Sequence, residues 1–106
     1  MDLNVAVVAG KLAAEPELRQ FESGSRLVRY LITIHSGEPR RRVDVLPVTL
    51  WDPPVELLET GRRGDGIWAA CAVQRRFWEG GEGRRSTIEL VAHHVELRPE
   101  NESGGG

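Results

Sequence analysis

Tryptophan and arginine are the residues of this 106-residue chain best suited to handling a ligand. Thirteen of its fourteen cationic side chains are arginines, and Lys11 is the exception. They fall in clusters: Arg40-Arg41-Arg42, Arg62-Arg63, Arg75-Arg76 and Arg84-Arg85. A guanidinium pairs with phosphate through two parallel hydrogen bonds and stacks on ring faces, which an ammonium cannot do. On a period of two, Trp51 lies opposite the apolar side chains of its strand, and Trp78 shares a face with Arg76 and Gln74. Rings for base faces and cations for a phosphate chain are what a sequence-tolerant binder of single-stranded nucleic acid requires. The same alternation also fits Trp51 and Trp78 as caps on a barrel end or as interface residues, and by itself it does not separate the two. Trp68, at the start of a strand, fits interface or barrel-wall packing, and the pattern leaves Phe77 open.

Catalysis has no comparable set. The histidines are His35, His93 and His94. Adjacent residues on a regular strand point to opposite faces, so His93 and His94 are not expected to share an ion. Cys71 falls in the apolar phase of its strand and reads as a small core filler. The glycines around Gly80 lack the strand–loop–helix context and the GK[ST] signature of a phosphate loop. Glu15 and Glu17 lie in a predicted connection with nothing to shape a pocket. The expectation is a protein that is not an enzyme and uses no cofactor, metal or small-molecule substrate.

The elements that must position the rings follow from periodicity. Residues 3–12 form an apolar, β-branched run with Gly10 marking a bulge or a close backbone approach. A polar, turn-prone connection starts at Pro16, and residues 22–25 make a hairpin tip. The second predicted strand, 27–35, turns Val28, Tyr30, Ile32 and Ile34 to one face. A turn over 36–39 leads to the third, 43–51, with Leu46, Val48 and Leu50 inward. Pro47 lacks a backbone donor, so that strand should be an edge or irregular there. Pro53-Pro54 ends it, and residues 55–60 fit a short helix closed by Gly61. The fourth strand, 67–78, places Ile67, Ala69, Cys71 and Val73 on one side. A glycine loop over 79–83 and a fifth strand, 86–97, complete a domain spanning 1–98, with a flexible Gly-rich tail at 99–106. Five strands with one short helix between the third and fourth is the element order of an OB-fold, an all-β Greek-key barrel. Periodicity alone leaves a generic β-barrel as a competitor.

Composition bounds the rest. The length suits one domain. Apolar residues at 40% and charged residues at 28% match ordinary globular usage. No apolar run is long enough to cross a bilayer as a helix. Asp2 occupies the place of the basic region of a signal peptide, and a single cysteine excludes an internal disulfide, so a cytoplasmic protein is expected. The net charge of −2 equals the two acids Glu100 and Glu102, which leaves residues 1–98 electrically balanced.

Three blocks resemble the bacterial single-stranded DNA-binding protein family, over roughly residues 3–98. NVAVVAGKLAAEPELRQFESG, Asn4–Gly24, is similar to its opening strand, acidic Pro-Glu-Leu-Arg connection and Ser-Gly tip. VTLW, Val48–Trp51, is similar to the end of its third strand. RRFWEGGEGRRSTIEL, Arg75–Leu90, is similar to its Arg-x-Trp strand, polar hairpin and last strand. The resemblance implies an OB-fold in a homotetramer, a dimer of dimers, that coats single-stranded DNA in replication, recombination and repair and is associated with the bacterial nucleoid. It implies stacking by Trp51 and Trp78, a basic contact at Arg76, and polar or basic positions near the path at Lys11 and Arg19. With the clusters, the expected phosphate contacts are Arg76, Arg75, Arg40, Arg41, Arg42, Arg84 and Lys11. Two family features are missing: the hairpin over Ser36–Arg42 carries no tryptophan, and Val45 stands where the third strand often has one. Losing two of about four stacking positions removes roughly 2–6 kcal/mol, so weaker binding is expected. Residues 99–106 carry no acidic, hydrophobic tip of the kind by which the family recruits enzymes. These departures and the balanced charge keep two other readings open, a divergent OB-fold used for protein–protein assembly and a binder of single-stranded RNA.

Overall fold

A computed structural model describes residues 1–100, and residues 101–106 of the expected tail lie outside the described residues. Six strands form one sheet: β1 (Ala6–Leu12), β2 (Glu17–Gln20), β3 (Arg26–Ser36), β4 (Arg42–Trp51), β5 (Gly66–Gly80) and β6 (Gly83–Arg98). Their order is β1-β5-β6-β4-β3-β2, and a further pairing of β1 with β3 closes the sheet into a barrel. β1 and β2 pair in succession along the same edge of β3, at Lys11 to Leu12 and then at Glu17 to Gln20. They are two pieces of one interrupted strand, so the architecture is the five-stranded barrel of an OB-fold. The short β2 has no buried residue to give it a periodic signal, so its sequence reads as a connection.

The inward faces are those that alternation predicts except at Val73, which is exposed because β5 leaves the barrel wall there and runs on into the β5–β6 hairpin. Tyr30, Ile32, Val48, Ala69 and Cys71 are completely buried. Around them pack Leu12, Val28, Leu50, Ile67, Ala92 and Val95. Burial pushes the Cys71 thiol up, which suits a core filler. Pro47 fits because β4 pairs with β6 only at Val48 and Thr49, just after it, while its ladder to β3 continues through Leu31 opposite.

Gly10 is the closure point. β1 pairs with β5 through Lys11 and reaches β3 at Lys11 and Leu12, so one short segment serves two neighbours. A Cβ at Gly10 would collide with the Thr33 carbonyl oxygen and come within 3.0 Å of Ile32 Cγ2. The close approach expected at this glycine is therefore present.

Three local expectations are corrected. Residues 55–60 form no helix beyond one 3₁₀ turn, Val55–Leu57, because Leu58 is extended and Glu59 takes a positive φ of 61°. Six residues with no buried side chain in that turn cannot offset helix nucleation. The β5–β6 ladder runs farther than predicted, to Gly80 opposite Gly83, leaving a two-residue turn. Finally, a bulge between Ala70 and Cys71 shifts the register, so that Ala92 and Val95 both point inward and His93 and His94 are both exposed. The alternation argument that separated them fails at the inserted residue.

Two stability predictions follow. Gly10→Ala should destabilise by at least about 1–3 kcal/mol, since the obstacle is backbone. A melting temperature lowered by less than about 4 °C would show that β1 does not pass so close to β3. Tyr30 Oη is buried with no hydrogen-bond partner among the described residues, and burial pushes its phenol from 10.0 up to about 12. The unfolded phenol ionises near 10, so this group's stabilisation is full below pH 10. It is lost as pH rises to 12, by about 2.7 kcal/mol in all. Urea denaturation from pH 9 to 12 should therefore fall more steeply for the wild type than for Tyr30→Phe; parallel profiles would place the phenol in water.

Candidate nucleic-acid interface

The outward faces of β2, β3 and β4 and the base of the β5–β6 hairpin enclose an open cleft of about 320 Å³. Strand register builds it. β3 and β4 place Leu27 opposite Trp51 and Arg29 opposite Thr49, and β2 brings Arg19 opposite Leu27. Leu27 is buried in the cleft lining, while Trp51 is 43% exposed. Phe21 follows β2 and is fixed by the hairpin tip: its N–H donates to the Ser25 carbonyl, and its carbonyl accepts from the Gly24 N–H, both at 2.9 Å. The Phe21 ring stacks on Trp51, with centroids 5.7 Å apart and planes 25° apart. The Asp52 N–H, donating to the Arg26 carbonyl at 2.8 Å, fastens the end of β4 beneath the pair.

Three guanidiniums line this platform: Arg19, Arg29 and Arg76. Arg19 pairs with Glu17, and Arg76 Nη1 lies 3.2 Å from Glu89 Oε1. Exposed ion pairs of this kind contribute about 0–1 kcal/mol, so either arginine exchanges its carboxylate for a phosphate at small cost. Arg29 has no ion pair among the described residues. The cleft thus joins flat apolar rings to cations that are free or weakly held.

The other predicted residues are distributed around it. Trp78, 44% exposed, lies outside the cleft lining on the same face of the β5–β6 hairpin as Arg76, about 7 Å farther along. Arg75 and Arg84 occupy the opposite face of that hairpin, where Arg75 Nη1 donates to Ser86 Oγ at 3.1 Å and the Arg84 guanidinium lies 5.4 Å from the Phe77 ring centre. Arg40, Arg41 and Arg42 sit at the far tip of the β3–β4 hairpin, nine residues from Trp51 and so roughly 30 Å away. There Arg42 Nε donates to the Asp44 carboxylate at 3.0 Å. Lys11 is exposed on β1 beside Thr33, also outside the cleft. Between cleft and tip β3 and β4 expose Leu31, Val43 and Val45, with Lys11 beside them on β1.

The structure therefore gathers Trp51, Arg19 and Arg76, adds Trp78 along one hairpin face, and leaves Arg75, Arg84, Lys11 and the Arg40–Arg42 cluster elsewhere. Sequence reasoning missed Phe21 and Arg29. Arg29 was legible, because a hairpin pairing Ser36 with Arg42 carries Arg29 to Thr49 by simple counting. Phe21 was not, since its contact with Trp51 joins residues thirty apart across two hairpins.

The single-strand binding protein family model matches residues 3–98. The chain belongs to this family. It is 26% identical over 110 residues to single-stranded DNA-binding protein 3 of Listeria innocua, covering 98% of this chain and 69% of that protein. It is likewise similar to the single-stranded DNA-binding protein of Oceanobacillus iheyensis, with 26% identity over 98% of this chain and 68% of the relative. For the single-stranded DNA-binding protein of Thermus aquaticus the identity is 27%, over 97% of this chain and 41% of the relative. Within this family member the ring pair is testable without any ligand. A double-mutant cycle of Phe21→Ala and Trp51→Ala in urea denaturation should give a coupling of about 0.5–1.5 kcal/mol. Additive effects would mean that the rings do not stack in solution.

Proposed function

We propose that the chain binds single-stranded DNA without sequence preference, by stacking bases on Trp51 and Trp78 and holding phosphates on arginine. The observation that carries this reading is the half-exposed Phe21–Trp51 platform in a cleft lined by Arg19, Arg29 and Arg76. A base has a flat face whatever its identity, so stacking tolerates sequence, while duplex DNA hides those faces. The names of the relatives agree with this chemistry. The role is binding without a chemical step, in replication, recombination and repair, within the cytoplasm and nucleoid.

Assembly into a homotetramer belongs to the same proposal. Ala6 to Ala9 of β1 pair with β5 on one side and have no strand on the other among the described residues, which leaves an edge for a second copy. Val5, Val7 and Trp68 are exposed. Bringing several clefts together offsets the shortage of stacking positions, because linked weak sites act at high effective concentration.

Titrating oligo(dT) into the protein while following tryptophan emission, at two salt concentrations, tests the reading. Emission should be quenched, and affinity should fall as salt rises, since each neutralised phosphate releases counterions. Trp78→Ala should weaken binding by about 1–3 kcal/mol with the fold intact. Unchanged emission with no mobility shift at low salt would remove the proposal; a stable oligomer indifferent to DNA would assign the fold to assembly. Tighter binding of oligo(U) than of oligo(dT) would point to RNA, through a contact to the 2′-hydroxyl.

A further inference from the structure

Beyond the barrel, residues 74–79 and 82–88 form a two-stranded ribbon exposed on both faces. Such a ribbon is marginal alone, so two bare faces call for a ligand or a partner. Three doublets lie on it: Arg75-Arg76, Phe77-Trp78 and Arg84-Arg85. Side chains alternate along a strand, so each doublet sends one member to each face. The register pairs Trp78 with Arg85 and Phe77 with Ser86, which sorts the residues without ambiguity. One face carries Arg76, Trp78 and Arg85, and the other carries Arg75, Phe77 and Arg84. Each face has two arginines and one acid, Glu89 on the first and Glu79 on the second, and Glu82 lies in the turn between them, so the ribbon as a whole keeps one net positive charge.

The Phe77 face repeats the ring and the two arginines of the Trp78 face, with exposed Ile88 beside Arg75 where the other face has Thr87. Phe77 is 56% exposed, more than any tryptophan in the chain. The Arg84 guanidinium lies 5.4 Å from its ring centre, within range of a cation–π contact. Arg75 spends one N–H on Ser86 Oγ and keeps its remaining donors. The tip between the faces carries Glu82 and is open at its glycines: nothing stands within 4 Å of where a side chain at Gly81 or Gly83 would begin.

We infer that the Phe77 face is a second contact surface for single-stranded DNA, with a base stacked on Phe77 and phosphates on Arg75 and Arg84, so that one strand rounds the glycine tip and grips the ribbon from both sides. This rests on the function proposed above. A ring set between two arginines, with Glu79 the one acid on that face, selects a flat, anionic occupant.

The test is the affinity of the full chain for a long fluorescein-labelled oligo(dT), by anisotropy at fixed low salt, comparing wild type, Trp51→Ala, Phe77→Ala, Phe77→Leu and Arg84→Ala. Phe77→Ala should weaken binding about 5- to 100-fold. Phe77→Leu, which keeps apolar bulk but removes the ring, should show a similar loss and serves if the alanine variant does not fold. Arg84→Ala should weaken binding less and lower its salt dependence. No binding by wild type would overturn the proposed function itself. Wild-type binding weakened by Trp51→Ala but unchanged within twofold by both Phe77 variants would overturn this inference alone. So would Phe77 variants that lose self-association in sedimentation while retaining DNA affinity, which would assign the face to contact between copies.

Discussion

Closure of the barrel requires β1 to leave β5 and join β3 within two residues, and only a residue without a Cβ can pass so near the Thr33 carbonyl. That crossing orients the rest. Because β1 closes on the upper part of β3, its continuation β2 meets the lower part, at Arg26 to Arg29. The tip that follows then delivers Phe21 to Trp51. The cleft is a consequence of how the barrel shuts rather than a separate construction. The buried Tyr30 phenol, without a hydrogen-bond partner among the described residues, carries a desolvation penalty that the packing of its ring has to offset.

Electrostatics works locally here. Residues 1–98 carry no net charge, so long-range attraction of a polyanion is weak and affinity has to come from contacts. The arginines nearest the rings are either without a carboxylate partner among the described residues, as Arg29, or held by exposed pairs that contribute little, as Arg19 and Arg76. Such pairs hold Arg19 and Arg76 at rest and release them when a stronger anion arrives. Family membership and this arrangement point the same way, although the two come from different observations.

The β5–β6 ribbon follows a different constraint. Where β5 forms the barrel wall, one face is buried, and its residues are small or aliphatic. Past Val73 both faces are open, and the sequence changes to doublets of arginine and aromatic residues. A period-two element with doubled residues presents equivalent chemistry on both sides, which is of use only if both sides are touched.

Pattern alone determined the inward faces of β3 and β4 and of β5 as far as Cys71, the hairpin tip at residues 22–25 and the order of elements, because burial on one face forces a period of two on the chain, and it marked Gly10 as a bulge or a close approach. It determined which residue types were available for stacking and phosphate contact. Tertiary structure decided which of them meet. Phe21 reaches Trp51 across two hairpins, Arg29 gains its place from register, and the Arg40–Arg42 cluster is carried about 30 Å from Trp51 by the length of β4. It also decided that residues 55–60 shrink to a 3₁₀ turn and that a bulge brings His93 and His94 to the surface together. Local periodicity records which side of a strand is buried, but distances between strands depend on register, bulges and closure, and those are properties of the whole sheet.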